Sequence, residues 1–335
     1  MAQQANYSLP PGFKLDQYVI ERQLSLGGFS IVYLAHDAAG APVAIKEYLP
    51  NSLALRAEGE ITPTVTEAHA DAFRYGIKCF FEEGKALAQL THPNVVKVLN
   101  FFRANDTVYL VMHYEEGCTL QELILQQPAM ITERFIRITF TRLLNGLREV
   151  HAHKLLHLDL KPSNIYMRTD RTPLLIDFGA SRQTLALDKP MLKPTFTPGY
   201  ASPEHYTERE LLGPWSDIYS IGASMYACLD AGTPPPPADV RAQDDQLQPA
   251  SSRWRGQYSE QLLETIDWCL CLNHLYRPQS VFALQKALTA AHQAPTAPAL
   301  AVEAPPCALA NECSATPVSV RLRSFFDKLR KRPTL

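Results

Sequence analysis

The sequence predicts an α+β protein in which a strand-rich first third gives way to a mostly helical remainder. Three observations carry that expectation. Runs rich in β-branched and aromatic residues, at 17–20, 31–34, 42–46, 95–99 and 107–112, crowd the first third and suggest a five-stranded antiparallel sheet. One helical stretch, 72–90, interrupts them, with apolar residues at Phe73, Ile77, Phe80, Phe81, Leu87 and Leu90. From Leu120 onward the apolar spacing turns helical, most plainly over 134–153, where Phe135, Ile138, Leu143, Leu144, Leu147 and Val150 recur at intervals near three and four.

A chain of 335 residues has room for one large two-lobed domain or two ordinary ones. With 46% hydrophobic and 20% charged residues it can bury a substantial core, so a folded soluble protein is expected. A net charge of −2 argues against a general nucleic-acid binder. Residues 1–12 lack a basic stretch followed by an apolar run, so no secretory leader is read. No run of about 18 apolar residues occurs, and no membrane-spanning helix is expected. The seven cysteines are scattered, and the one close pair, Cys269 and Cys271, has neither the spacing nor the neighbours of a zinc site. Reduced thiols in a cytoplasmic protein are the expectation.

The first strands form a hairpin around Gly27 and Gly28, with Phe29 at its tip. The third strand ends Val43-Ala44-Ile45-Lys46, and a lysine closing a buried apolar strand is costly unless an anion meets it. Residues 51–66 are polar, include Gly59 and Pro63, and read as an insertion before the helix. The helix ends at Thr91-His92-Pro93, since a proline disfavours helix in the residue before it. Two acids, Glu82 and Glu83, sit side by side within it.

The densest chemistry lies in His157-Leu158-Asp159-Leu160-Lys161-Pro162-Ser163-Asn164. Pro162 fixes one φ and blocks regular helix, so the side chains sit on a stiff loop. A carboxylate can take a hydroxyl proton, an ammonium can face a moving phosphoryl group, and a carboxamide oxygen can bind a cation. Phosphoryl transfer needs those parts, because there the protein mainly positions groups and neutralises charge. Thirteen residues after Asn164, behind the short strand 173–176, comes Asp177-Phe178-Gly179.

In order and spacing these segments closely resemble the eukaryotic-type (Hanks-type) serine/threonine protein kinases, in the style of bacterial members. Val43-Ala44-Ile45-Lys46 matches the V-A-I-K strand, and the loop at Asp159 matches H-R-D-L-x-x-x-N with Leu158 in place of Arg, a non-RD form. Ser202-Pro203-Glu204 stands for A-P-E, Trp215 to Gly222 resembles the start of the family's central helix, and Arg277 matches the late arginine that would pair in bidentate fashion with Glu204. Of the three glycines in the family's phosphate loop only Gly27 is kept, the others being Ser25 and Ser30.

The resemblance covers roughly residues 15–292 and implies a bilobal kinase-like fold, with a first lobe at about 15–114, a helical second lobe at about 115–292, and ATP between them. It implies that Asp159 orients the acceptor hydroxyl and takes its proton, and that Lys161 neutralises the γ-phosphate while Thr197 bridges the two. Lys46 would hold the α/β-phosphates, oriented by Glu83, whose interval to the H-P-N segment selects it over Glu82. Asn164 and Asp177 would bind Mg²⁺ or Mn²⁺. Ser25, Gly27, Gly28, Phe29, Ser30, Val32 and Ala44 would line the nucleotide, with Met112, His113 and Tyr114 at the adenine. Lys161 and the Thr197-Pro198-Gly199-Tyr200 stretch imply Ser or Thr of proteins as acceptor. Leu158 implies activity without a phosphate on the activation segment, since the basic partner for that phosphate is absent.

The alternatives are a pseudokinase or nucleotide-binding scaffold signalling through its tail, a small-molecule kinase, and a membrane-associated adaptor. Around the kinase-like region the sequence suggests an extension at 1–14, an Ala/Pro-rich linker at 293–317 and a basic amphipathic tail at 318–335. That tail holds six basic residues against one acid, a net +5, leaving −7 on the rest of the chain. Val318, Leu322, Phe325, Phe326 and Leu329 share one helical face, so the tail is a candidate for an anionic membrane surface or a protein partner, with peripheral membrane association one expectation.

Overall fold

Hydrogen-bonded strands build the first lobe, the central ones buried along most of their length. A computed structural model of the chain describes residues 6–178, 196–207 and 209–290. Strands β1 (Lys14–Leu15), β2 (Tyr18–Leu26), β3 (Ser30–His36), β4 (Pro42–Tyr48), β5 (Val98–Ala104) and β6 (Thr107–His113) form one antiparallel sheet in the order β1-β2-β3-β4-β6-β5. It has six strands rather than five, because two residues before the expected first strand pair as Lys14↔Val19 and Leu15↔Tyr18. The expected strand 95–99 is displaced: β5 starts at Val98, and Val96 N–H instead donates to Leu175 O at 2.9 Å, in the second lobe. Val95 and Val96 are buried there, which explains an apolar run longer on its N-terminal side than the strand itself.

Helix α1 (Glu67–Leu87) starts five residues before the expected 72. Its first turn is solvent-facing and so has no apolar periodicity to betray it. Past Leu87 the chain tightens, Leu90 N–H donating to Leu87 O at 3.0 Å before Pro93 ends the segment. The helix lies close on the sheet because Gly76 faces the Tyr48 ring, where an added methyl would overlap it. Tyr48 stacks on Phe73 and meets Phe80, with ring centroids 5.5 and 5.7 Å apart.

The segment at 51–66 is bolted to the lobe. Arg56 and Glu47 are both 0% exposed, and the guanidinium makes two bonds to the carboxylate, at 2.6 and 2.7 Å. Tyr33 Oη and Tyr109 Oη donate to the same carboxylate at 2.7 and 2.6 Å, and Arg56 Nε donates to Tyr7 O at 2.8 Å. Burial and the neighbouring Glu47 carboxylate hold the Tyr33 and Tyr109 hydroxyls protonated, raising both well above the ordinary phenol value. For Arg56 burial pulls the other way, but the Glu47 hydrogen bonds and charge outweigh it and keep the cation. The expected extension at 1–14 likewise supplies core groups, Leu9 and Asn6 being buried.

The second lobe packs α2 (Leu120–Gln126), α3 (Glu133–Ala152), α4 (Pro203–Tyr206), α5 (Pro214–Leu229), α6 (Ala238–Gln243), α7 (Ala250–Arg253), α8 (Glu260–Cys269) and α9 (Val281–Thr289) beside a small sheet of β7 (Gly117–Thr119), β8 (Ile165–Arg168) and β9 (Pro173–Leu175). Helix α5 is buried along most of its length, from Ser216 to Cys228, as befits the central element of a lobe. The Arg277–Glu204 pair forms, but through one contact of 2.9 Å and not the expected bidentate fork. The same nitrogen, Nη1, also donates to Trp215 O at 3.2 Å, while Nε and Nη2 are drawn to the carbonyls of Cys271 and Leu272, both at 2.7 Å. Among the described residues no helix is long and apolar enough to cross a membrane. Gly179, Ser181, Thr184, Thr195, the linker at 293–317 and the tail at 318–335 lie outside those residues.

Removing one partner of a buried, fully bonded ion pair strands the other, at a cost of about 3–5 kcal/mol. Arg56→Met is therefore expected to lower the unfolding free energy by about that amount in a urea titration. A loss below about 1 kcal/mol would show that Glu47 does not depend on it.

Candidate active site at the junction of the lobes

The loop bearing Asp159 is held by backbone capture from below. Asp217, in the first turn of α5, is 0% exposed. Its Oδ2 accepts from His157 N–H at 2.9 Å and its Oδ1 from Leu158 N–H at 2.8 Å, while His151 Nε2 at the end of α3 lies 2.7 Å from Oδ2. Burial alone would raise this carboxyl's pKa, but the His151 contact and the backbone N–H lower it on balance, so the anion persists. Leu158 takes φ +62°, a left-handed conformation unfavourable for a leucine, and the Asp217 bonds hold it there. On the far side His205 Nε2 lies 3.2 Å from Leu158 O and its Nδ1 2.9 Å from Ser202 Oγ. His157 is buried, its ring 4.4 Å from that of Phe178 and its Nε2 3.1 Å from Ile176 O.

Above this base the expected groups converge. Thr197 Oγ1 donates to Asp159 Oδ1 at 2.8 Å, and Lys161 Nζ reaches Asp159 Oδ2 at 2.7 Å and Thr197 Oγ1 at 2.6 Å. Asn164 sits in a single 3-10 turn, Pro162–Asn164, which is what Pro162 permits in place of regular helix. Its Nδ2 donates to Asp159 O at 2.8 Å and to Asp159 Oδ2 at 3.0 Å. The amide is thereby oriented, and its oxygen is the atom that would bind a cation. An amide oxygen and the Asp177 carboxylate are hard-oxygen donors of the kind Mg²⁺ takes, so these two residues would hold it. Among the described residues no cluster of three or more His, Cys, Asp or Glu suited to a metal occurs.

Lys46 is buried at the end of β4 and pairs with Asp177, with the Phe80 ring 5.9 Å from its ammonium. Of the two helix acids, Glu83 is buried at 2% exposure and Glu82 is exposed, as the sequence reading anticipated. Gly27 and Gly28 cap the β2–β3 hairpin, with Gly27 N–H donating to Ser30 O at 2.9 Å and nothing closer than 3.5 Å where a Cβ would stand. Ser25 pairs with Val32, so the residue in the first family glycine's place lies in a regular strand. Phe29 is 45% exposed at the tip. Ala44 and Met112 are register partners in neighbouring strands, leading into His113 and Tyr114. Past them Glu115 is fixed by Arg168 at 2.7 Å, whose hydrogen bond lowers the carboxyl's pKa.

Sequence reasoning missed the grips on these groups. His151, His205 and the Glu47–Arg56 pair belong to no short motif, and only Asp217 stood in a recognised stretch.

The protein kinase domain family matches this chain over residues 18–289, most of its length, and the chain belongs to that family. A solved structure described as PpkA-294 apo form superposes with a TM-score of 0.75 at 35% identity, covering 84% of this chain and 99% of that one. The PknI kinase domain of Mycobacterium tuberculosis, at 22% identity and a TM-score of 0.62, covers 84% of this chain and 98% of its own and shares the fold. Serine/threonine-protein kinase D of Synechocystis is 27% identical over 92% of this chain and 58% of its own length. The PLK4 kinase of Nematostella vectensis is 28% identical over 67% of this chain, which spans only 21% of that protein. The family match, the PpkA likeness and the Synechocystis relative place the chain among the Hanks-type serine/threonine kinases of bacterial kind.

Burial lowers the pKa values of His157 and His205 from 6.5. Below about pH 6.5 the unfolded chain takes up protons that the folded chain refuses, so stability falls as pH falls. The Asp217 contribution is lost only further down, below 3.8. The melting temperature is thus expected to drop between pH 7.5 and 5.5, and to drop less in His205→Gln. A flat profile would contradict the burial of neutral imidazoles beneath the loop.

Proposed function

We propose that this domain transfers the γ-phosphoryl group of ATP to Ser or Thr hydroxyls of protein substrates. One observation carries the reading: Asp159, Lys161, Thr197 and Asn164 interlock at 2.6–3.0 Å on a loop anchored to the lobe's central helix. Asp159 orients the acceptor hydroxyl and takes its proton as oxygen attacks the γ-phosphorus and ADP departs. Thr197 and Lys161 fix that carboxylate, and Lys161 also offsets charge on the moving group. Lys46, oriented by Glu83, meets the α/β-phosphates. Ser25, Gly27, Gly28, Phe29, Ser30 and Val32 cover them. Ala44, Met112, His113 and Tyr114 border the adenine. When Mg²⁺ or Mn²⁺ is bound, Asn164 and Asp177 hold it, and it neutralises phosphate charge. The loop at 197–204 supports a peptide acceptor, being tied to α5 by Ser220 Oγ donating to Tyr200 O at 2.8 Å. A pseudokinase reading finds no support in a site that retains every chemical group.

Radiolabelled ATP with Mg²⁺ tests this. The expected result is label on Ser or Thr, of the protein itself or of a generic substrate, reduced at least about 10²-fold in Asp159→Asn. No label from the wild type with either metal would refute it. Because Leu158 leaves no basic partner for an activation-segment phosphate, alanine at Ser181, Thr184 and Thr195 together is expected to leave most activity. Its abolition in a folded protein would argue the reverse. The tail at 318–335 is proposed to bind anionic surfaces, with the domain otherwise cytoplasmic. Co-sedimentation with phosphatidylserine vesicles should weaken with salt and vanish when the chain ends near Pro317, and equal binding by the shortened chain would dismiss it.

A further inference from the structure

The hairpin tip over the proposed phosphate site has lost two of the family's three glycines, and the structure shows what holds it instead. Register pairing of β3 with β4 reaches Ser30↔Tyr48. Beyond it, Leu49 N–H donates to Phe29 O at 3.0 Å and Asn51 N–H to Gly28 O at 2.9 Å. Two consecutive carbonyls of the tip are thus gripped by the first residues after β4. Pro50, between them, accepts from Leu53 N–H and Ala54 N–H, both at 3.0 Å, closing a tight turn.

That turn is itself fastened from the N-terminus. Asn6 is buried, and its Nδ2 donates to Asn51 Oδ1 at 2.7 Å, Ala54 O at 3.2 Å and Leu49 O at 3.4 Å, while its Oδ1 accepts from Arg56 N–H. One amide therefore clasps both ends of 49–56. At the far end Arg56 grips Glu47, the residue after Lys46. A continuous path of hydrogen bonds runs from the N-terminal strap, through the turn, to the hairpin tip and to the strand that carries Lys46.

We infer that Asn6, Asn51 and Arg56 are positioning residues that set the height of the Gly28–Phe29 tip above the nucleotide phosphates. A hairpin with serines where glycines would stand has fewer accessible backbone states, and the external clasp fixes one of them before ATP arrives, so ordering costs less on binding. The segment at 51–66 then serves the nucleotide site directly. This rests on reading 25–30 as the phosphate cover.

The test is direct titration of the full chain with a non-hydrolysable ATP analogue and Mg²⁺, together with steady-state kinetics. Asn6→Ala and Asn51→Ala are expected to raise the dissociation constant about tenfold and the KM for ATP similarly, with little change in the KM for the protein substrate. Asn51→Ala leaves Arg56 and the core intact, so it remains readable if Asn6→Ala or Arg56→Met unfolds. Lowered melting temperature with unchanged nucleotide affinity in Asn51→Ala would mean a purely structural clasp and overturn the inference alone. Failure of the wild type to bind the analogue would overturn the nucleotide-site reading and this inference with it.

Discussion

A single buried carboxylate organises the chemical half of this molecule. Asp217 sits in the first turn of the most buried helix and spends its two oxygens on consecutive backbone N–H groups of the loop that carries Asp159. Burying an anion costs several kcal/mol unless hydrogen bonds compensate it, and here two backbone N–H groups and a histidine do so. The return is geometric. Leu158 is held at a positive φ that an unconstrained leucine avoids, and that twist delivers Asp159 to Thr197, Lys161 and Asn164.

The first lobe solves the same problem with a second buried charge. Glu47 accepts from Arg56, Tyr33 and Tyr109, so strand β4 is fixed on the face away from Lys46. Adjacent residues on a strand point to opposite faces, so Glu47 is locked into the lobe while Lys46 turns the other way, to Asp177. Both lobes thus set a candidate site residue by immobilising its neighbour. Pre-organisation of this kind is what phosphoryl transfer rewards, since the protein contributes positions and charge rather than covalent chemistry.

The architecture and the grouping of the candidate site residues were legible because their signals are local. Lys46, Asp159, Lys161, Asn164 and Asp177 stand in short words with fixed spacing, and α3 announced itself through its apolar period almost to the residue. Signals failed where structure depends on partners distant in sequence. Arg56 looked like part of a polar insertion because nothing nearby reveals that Glu47, Tyr33 and Tyr109 converge on it. The first turn of α1 faces solvent and carries no pattern. Val95 and Val96 read as strand because they are buried, but their partner strand belongs to the other lobe. Leu158 was read for the arginine it replaces, and the structure adds that its backbone, gripped by Asp217 and His205, is the part that positions the loop.

The claim that backbone capture by Asp217 creates the working geometry of Asp159 is tested most directly by the turnover number of Asp217→Asn, with Mg·ATP affinity measured on the same preparation. An asparagine presents one acceptor where two are needed, and a displacement of the loop by about 1 Å costs on the order of 10²-fold in rate. The expected result is a loss of that size in kcat with nucleotide affinity nearly unchanged and the fold retained by circular dichroism. A folded variant that turns over at the wild-type rate would contradict it.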